Sequence, residues 1–157
     1  VGAHVRLEGV GLVGAIAEDA AAVTDPDFSP RFDAIQALEE ALDKARRAVK
    51  TERLLFRGQR PLRTIEDINV VVIDGNLVSP WKALAAAKVV QEQGARKAWI
   101  AAAASTQEVQ ARLRARRFDF VCPSVVLDAA GHPRPFGDPL EPSAERLRSI
   151  VVARQAA

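Results

Sequence analysis

The sequence predicts an α/β domain built around a parallel sheet. Three features carry that expectation. The β-branched run Val70–Ile73 shows no alternation, as in a strand covered on both faces. Lys82–Gln93 follows it as a stretch of good helix formers, ending at Gly94, where a C-terminal cap belongs. The order strand, helix, strand, helix, strand then runs from Val70 to Cys122, the signature of parallel βαβ units with right-handed crossovers.

In chain order, Leu12–Ala17 is small and apolar and is expected as a buried strand. Ala20–Val23 either continues it or returns as a hairpin. Asp25–Pro30 holds two prolines and is expected as a loop, with Ser29-Pro30 as a helix cap and first-turn proline. Ile35, Leu38, Leu42, Ala45 and Val49 recur at spacings of three and four, which predicts one long helix over 30–55 with a narrow apolar seam. Such a seam packs on a partner chain or lies across its own domain. Arg57–Pro61 (RGQRP) ends that helix, and its Arg57 and Arg60 are either a solvated turn or an anion contact. Ala98–Ala103 is a second buried strand of the parallel unit. Ser105 with Glu108 forms a capping box for a helix whose inner face is Val109 and Leu113. Phe118–Cys122 is a short strand stopped by Pro123, and Val125–Leu127 extends it or starts an edge strand. Gly131–Pro142 is a loop dense in Pro and Gly, and Ser143 caps a last helix to about Val152.

A chain of 157 residues is most simply a single domain, 1–157, with enough material for a real core. Its 48% hydrophobic and 27% charged residues are an ordinary globular mix. A net charge of +2 with few aromatics and no Tyr argues against nucleic acid as a partner. No apolar run reaches membrane-spanning length, so no membrane role is expected. The single cysteine, Cys122, excludes an internal disulfide and fits a reducing, cytoplasmic setting. The chain starts at Val1 and contains no Met, which fits a processed product, a fragment or an excised domain.

Chemistry is expected first at the end of the Val70–Ile73 strand, because ligands of open α/β sheets collect beyond the carboxyl ends of the strands. There the sequence is Asp74-Gly75-Asn76-Leu77-Val78-Ser79-Pro80-Trp81, followed by Lys82. Asp74 can accept hydrogen bonds from hydroxyls. Gly75 and Asn76 tolerate positive φ and so can turn backbone N–H groups inward. Ser79 precedes a helix N-terminus, a ready anion site, although Pro80 removes one donor from it. Each residue also has a plainer role: Asp-Gly is a hairpin signal, Ser79-Pro80 an ordinary cap, and Trp81 core packing.

Val70–Trp81 (VVVIDGNLVSPW) resembles the phosphoribosyl-pyrophosphate motif of type I phosphoribosyltransferases: an apolar strand, paired acids and a Gly, and a short loop opening a helix. Gly14–Glu18, Arg57–Pro61, Gly94–Ala103 and the pattern around Phe120–Ser143 are similar to segments of a bacterial subgroup of that family. The resemblance implies a Rossmann-like phosphoribosyltransferase fold with a long extra helix. It also implies phosphoribosyl pyrophosphate or a nucleotide as ligand, Mg²⁺ as cofactor, and Asp74 as the catalytic acid. Asp74, Gly75, Asn76, Leu77, Val78, Ser79 and Lys82 become the substrate-binding set, with Arg57 and Arg60 as anion contacts. The departures are specific. Ile73 stands where the first acid belongs, Val78 and Trp81 replace threonines, and Ser79 replaces a glycine. The family's N-terminal strand and pyrophosphate loop have no counterpart in Val1–Gly11. The motif is degenerate, and weak or lost transferase activity is the expectation. The alternative is a non-catalytic regulatory or assembly domain that uses helix 30–55 to contact a second copy or a partner chain. The acceptor substrate has no signature.

Other constellations are sparse. His4 and His132 form no motif, no Cys/His spacing suits zinc, and no metal site is expected from the residues alone. Cys122 is expected as a small core residue.

Overall fold

The computed structural model describes residues 1–18, 22–30, 34–61, 63–125 and 143–155. The chain opens with a hairpin. β1 (Gly2–Leu7) and β2 (Gly11–Ala17) are antiparallel, and β3 (Val23–Thr24) pairs with the other side of β2. Gly9 and Gly11, at φ 73° and 100°, supply the left-handed backbone that the tight return between β1 and β2 requires. The long helix α1 (Ile35–Phe56) follows. Next come β4 (Asn69–Leu77), α2 (Trp81–Glu92), β5 (Lys97–Ser105), α3 (Gln107–Ala115), β6 (Asp119–Val121), β7 (Ser124–Val125) and α4 (Ala144–Gln155).

β5 is the centre of a parallel sheet, with β4 along one side and β6 and β7 along the other. The expected βαβαβ order is present. The expected fold class is not: the chain has two separate sheets, one antiparallel and one parallel, rather than a single Rossmann-like parallel core. The physical cause lies in the first 24 residues. Val5 and Leu7 alternate with His4 and Arg6, so β1 has one apolar face, and the glycine turn folds it back on β2.

The antiparallel sheet lies between two helices. Val5, Leu7, Val13 and Ile16 pack against Ala45 and Val49 of α1. Ala15 and Ala17 instead join Trp81, Leu84, Ile100 and Leu113 in a second cluster, which links β2, α2, β5 and α3. The seam of α1 from Leu38 to Val49 thus packs against this sheet, while Ile35 at its start is exposed. The helix starts at Ile35 after Ala34, with no side-chain cap, and so later than Ser29-Pro30 would place it. α3 is capped by Thr106, whose Oγ1 accepts the Val109 N–H at 3.3 Å, because β5 runs on through Ser105. Ser143 does cap α4, accepting the Arg146 N–H at 3.2 Å. Gly94 follows α2 at φ 82°, as expected of a cap glycine. Cys122 is half-buried against the second cluster. Ala20, Leu127, His132 and the Gly131–Pro142 loop lie outside the described residues.

β4 departs from the two-sided burial expected of Val70–Ile73. Its residues alternate: Val70, Val72 and Asp74 turn inward, while Val71 and Ile73 are 51% and 79% exposed. Among the described residues β4 pairs with β5 alone, so it is an edge strand.

Gly14 sits where β2 and β3 come closest, and a Cβ there would collide with the Val23 carbonyl oxygen. Gly14→Ala is expected to destabilise the fold by about 1–3 kcal/mol through forced backbone movement. Urea denaturation measures this, and an unchanged midpoint would contradict the close approach.

Candidate functional site

β4 carries the first half of the candidate segment. Asp74 pairs with Ala102, Asn76 with Ala104 and Leu77 with Ser105, so the strand continues through the residues expected to turn. Neither Gly75 nor Asn76 has positive φ, and no inward nest of N–H groups forms there. The alanine run of β5 offers β4 an unbroken partner, and that pairing overrides the local turn preference of Asp-Gly-Asn. The reversal is displaced to Val78–Pro80. Asp74 is half-buried, and its Oδ1 accepts the Asn76 N–H at 3.1 Å.

α2 begins one residue beyond the proline. Pro80 is its N-cap residue, at φ −74°, and the buried Ser79 supplies the cap bond: its Oγ accepts the Trp81 N–H at 3.3 Å. Leu77 and Trp81 are buried in the core, and Val78 is exposed. Trp81 is held from above by α3, with the Arg116 and Arg112 guanidinium carbons 5.2 and 5.8 Å from its ring centre. Arg112 is anchored in turn by Asp25, 3.1 Å away, and Glu108, 3.2 Å away. Trp81 therefore ties α3 and the end of β3 to α2.

Lys82 is half-buried on the first turn of α2. Sequence motifs do not single out His4 and Arg6, yet the fold brings His4 into the electrostatic range of Lys82 and Asp74, with Arg6 two residues along the same strand. The His4 side chain on β1 has its pKa lowered from 6.5 to about 4. Burial is the largest cause, the charges of Lys82 and Arg6 add to it, and Asp74 opposes them. His4 is thus neutral at physiological pH, within electrostatic reach of two cations and one carboxylate. The signal in the sequence is the period-2 pattern of Ala3–Leu7, which puts His4 and Arg6 on one side of a strand, but nothing in that pattern says which helix they will meet.

Arg57 and Arg60 lie elsewhere. Arg57 pairs with Glu18, which also faces Arg53 Nε at 3.3 Å. Arg60 donates to the Arg57 and Phe56 carbonyls at 3.0 and 3.2 Å and so closes the end of α1. Both line a cavity of about 510 Å³ whose wall includes neither Asp74 nor Lys82. Mg²⁺, implied by the family resemblance, would meet one carboxylate at this segment, Asp74, followed by Gly75, Asn76, Leu77, Val78 and Ser79, a poor donor set for a resident divalent cation. Among the described residues no group of three or more His, Cys, Asp or Glu is placed to hold a metal, and no helix is long and apolar enough to cross a membrane.

No protein-family model matches the chain, and no curated protein matches it. A solved structure does: TT1426 from Thermus thermophilus superposes with a TM-score of 0.65 at 22% identity, covering 98% of this chain and 74% of that one. At that identity the likeness is one of fold.

Two outcomes follow from this geometry. The lowered pKa of His4 means that the neutral imidazole stabilises the fold, fully above pH 6.5 and progressively less as pH falls toward about 4. Stability should therefore drop more between those limits in the wild type than in His4→Gln, measured by urea denaturation across pH; parallel curves would remove the assigned environment. Trp81→Thr, which brings the segment nearer to the family motif, should instead cost about 3–5 kcal/mol, as large-to-small core changes do. A thermal midpoint within a degree or so of wild type would show that Trp81 is not core.

Proposed function

We propose that the chain binds the phosphate of phosphoribosyl pyrophosphate or a nucleotide at the β4–α2 turn, 74–81, and that its transferase activity is weak or absent. The observation that carries this reading is that His4 on β1, neutral and partly buried, lies in the electrostatic field of Lys82, Arg6 and Asp74, where α2 packs on β1 and β4. Lys82 and Arg6 supply positive charge and the helix N-terminus adds its dipole, all favourable to a phosphate. While its ring is neutral, one His4 ring nitrogen donates a hydrogen bond and the other accepts one. Asp74 keeps a second carboxylate oxygen for a ribose hydroxyl.

The same geometry argues against efficient transfer. Ile73 and Asp74 are neighbours on a strand, so their side chains leave opposite faces, and position 73 offers Asp74 no second acid. Trp81 fills space next to the helix entrance, and Pro80 has no N–H to give. A leaving pyrophosphate needs fixed donors in the transition state, and the described turn offers few. The competing reading, assembly through helix 30–55, has less support, because Ala45 and Val49 bury that seam against β1 and β2.

Calorimetric titration with phosphoribosyl pyrophosphate and Mg²⁺, and with a nucleoside monophosphate, tests the reading. Saturable binding is expected in the wild type, weakened roughly tenfold or more in Lys82→Ala, since a hydrogen bond to a charged group contributes about 1.5–3 kcal/mol. Phosphate bound beside His4 should also raise the pKa of its imidazole from about 4, followed by its NMR shifts. Absence of heat with every ligand would overturn the proposal.

A further inference from the structure

Among the described residues the parallel sheet is covered by helices on one face. Its inner face is covered by α2 and α3, through Leu84, Val109 and Leu113. On its outer face Val71, Ile73, Val121 and Val125 are 51%, 79%, 62% and 47% exposed. Parallel sheets are ordinarily covered on both faces, and a long edge strand with exposed apolar residues is a template for pairing. β4 is such an edge over nine residues.

A cavity of about 510 Å³ opens beside this edge. Val70 of β4 and Ala86, Val89 and Val90 of α2 line it, together with Ala17 and Ile65, but no residue of β5 does. It therefore lies where the inward side chains of a strand added to β4 would fall. Among the described residues its rim is cationic: Arg57, Arg60 and Arg63 line it with one acid, Glu18. Arg57 is paired with Glu18 and Arg60 with backbone carbonyls, while Arg63 is exposed.

We propose that the free edge of β4 accepts an additional β-strand from an extended acidic polypeptide segment. Alternate apolar side chains of that segment would fill the cavity and extend the outer apolar face. Its acid would meet the arginine rim. Backbone hydrogen bonds would give affinity and the cavity specificity, as in other cases of strand addition. The charge of the rim selects an acidic segment over a second copy of this chain, whose own β4 carries Asp74 as its one charge and none at its ends.

The test uses two labelled nine-residue peptides that alternate valine and threonine, one ending in glutamate and one in lysine. Fluorescence anisotropy with the whole protein should show saturable binding of the glutamate peptide, roughly tenfold or more tighter than the lysine peptide. Arg63→Glu should reverse that preference. Val71→Lys with Ile73→Lys should weaken both peptides while leaving the urea midpoint unchanged, since both side chains are exposed. Failure of the glutamate peptide to saturate would overturn the proposal, as would binding indifferent to these substitutions. Two other occupants would also overturn it: a concentration-dependent dimer that excludes the peptides, and saturable octanoate binding by a protein that takes neither peptide.

Discussion

The fold depends on the burial of α2 between two sheets. Ala83, Ala85 and Ala87 are buried along with Trp81 and Leu84, so the helix has little solvent-facing surface in its first two turns. Its alanines let Ala15 and Ala17 of β2 approach from one side and Ile100 and Ala102 of β5 from the other. Bulkier residues at those positions would hold the sheets apart. Burial of a residue such as Leu84 contributes about 1.5–3 kcal/mol, and here each such contact also fixes the relative position of two sheets with no strand pairing between them. Trp81 extends the clamp to α3 and, through Arg112 and Asp25, to the end of β3.

The candidate site is a by-product of that clamp. Asp74 belongs to one sheet, Lys82 to the helix, and His4 and Arg6 to the other sheet. None of the three elements assembles the group alone. Because α2 fixes both sheets, the group sits on rigid elements rather than on a loop, which favours a fixed charge arrangement over an adaptable one. The low pKa of His4 expresses the same arrangement: the ring is partly buried, and Lys82 and Arg6 both resist its protonation.

What the sequence makes legible follows from the range of the interactions. The βαβ unit is legible because Val70–Ile73, Lys82–Gln93 and Ala98–Ala103 carry strong local signals, and α3's inner face of Val109 and Leu113 follows from helical spacing. The antiparallel sheet is not legible as a separate layer. Its strands are short and mixed in character, and their pairing rests on Gly9, Gly11 and Gly14 at positions that only a folded chain explains. The run Asp74–Leu77 has the local signature of a turn, yet partnership with the alanines of β5 keeps it extended. For the site, Asp74 and Lys82 are visible from their place after a strand. His4 is invisible, because Asp74 and Lys82 lie 70 or more positions further along the chain and are brought to it by α2.

The extension of β4 also bears on why the resemblance to a phosphoribosyl-pyrophosphate motif is partial. In an extended strand, side chains 73 and 74 leave opposite faces. Ile73 lies on the outer face, 79% exposed, while Asp74 turns inward. A carboxylate at 73 would therefore project into the outer solvent and away from Lys82. Pairing of Asn76 with Ala104 and of Leu77 with Ser105 keeps the chain extended beyond this point. An apolar residue at 73 and an extended strand through 77 are then one geometric fact. With the strand straight, an acid at 73 has no partner to work with, and an apolar residue there suits an edge that takes a further strand.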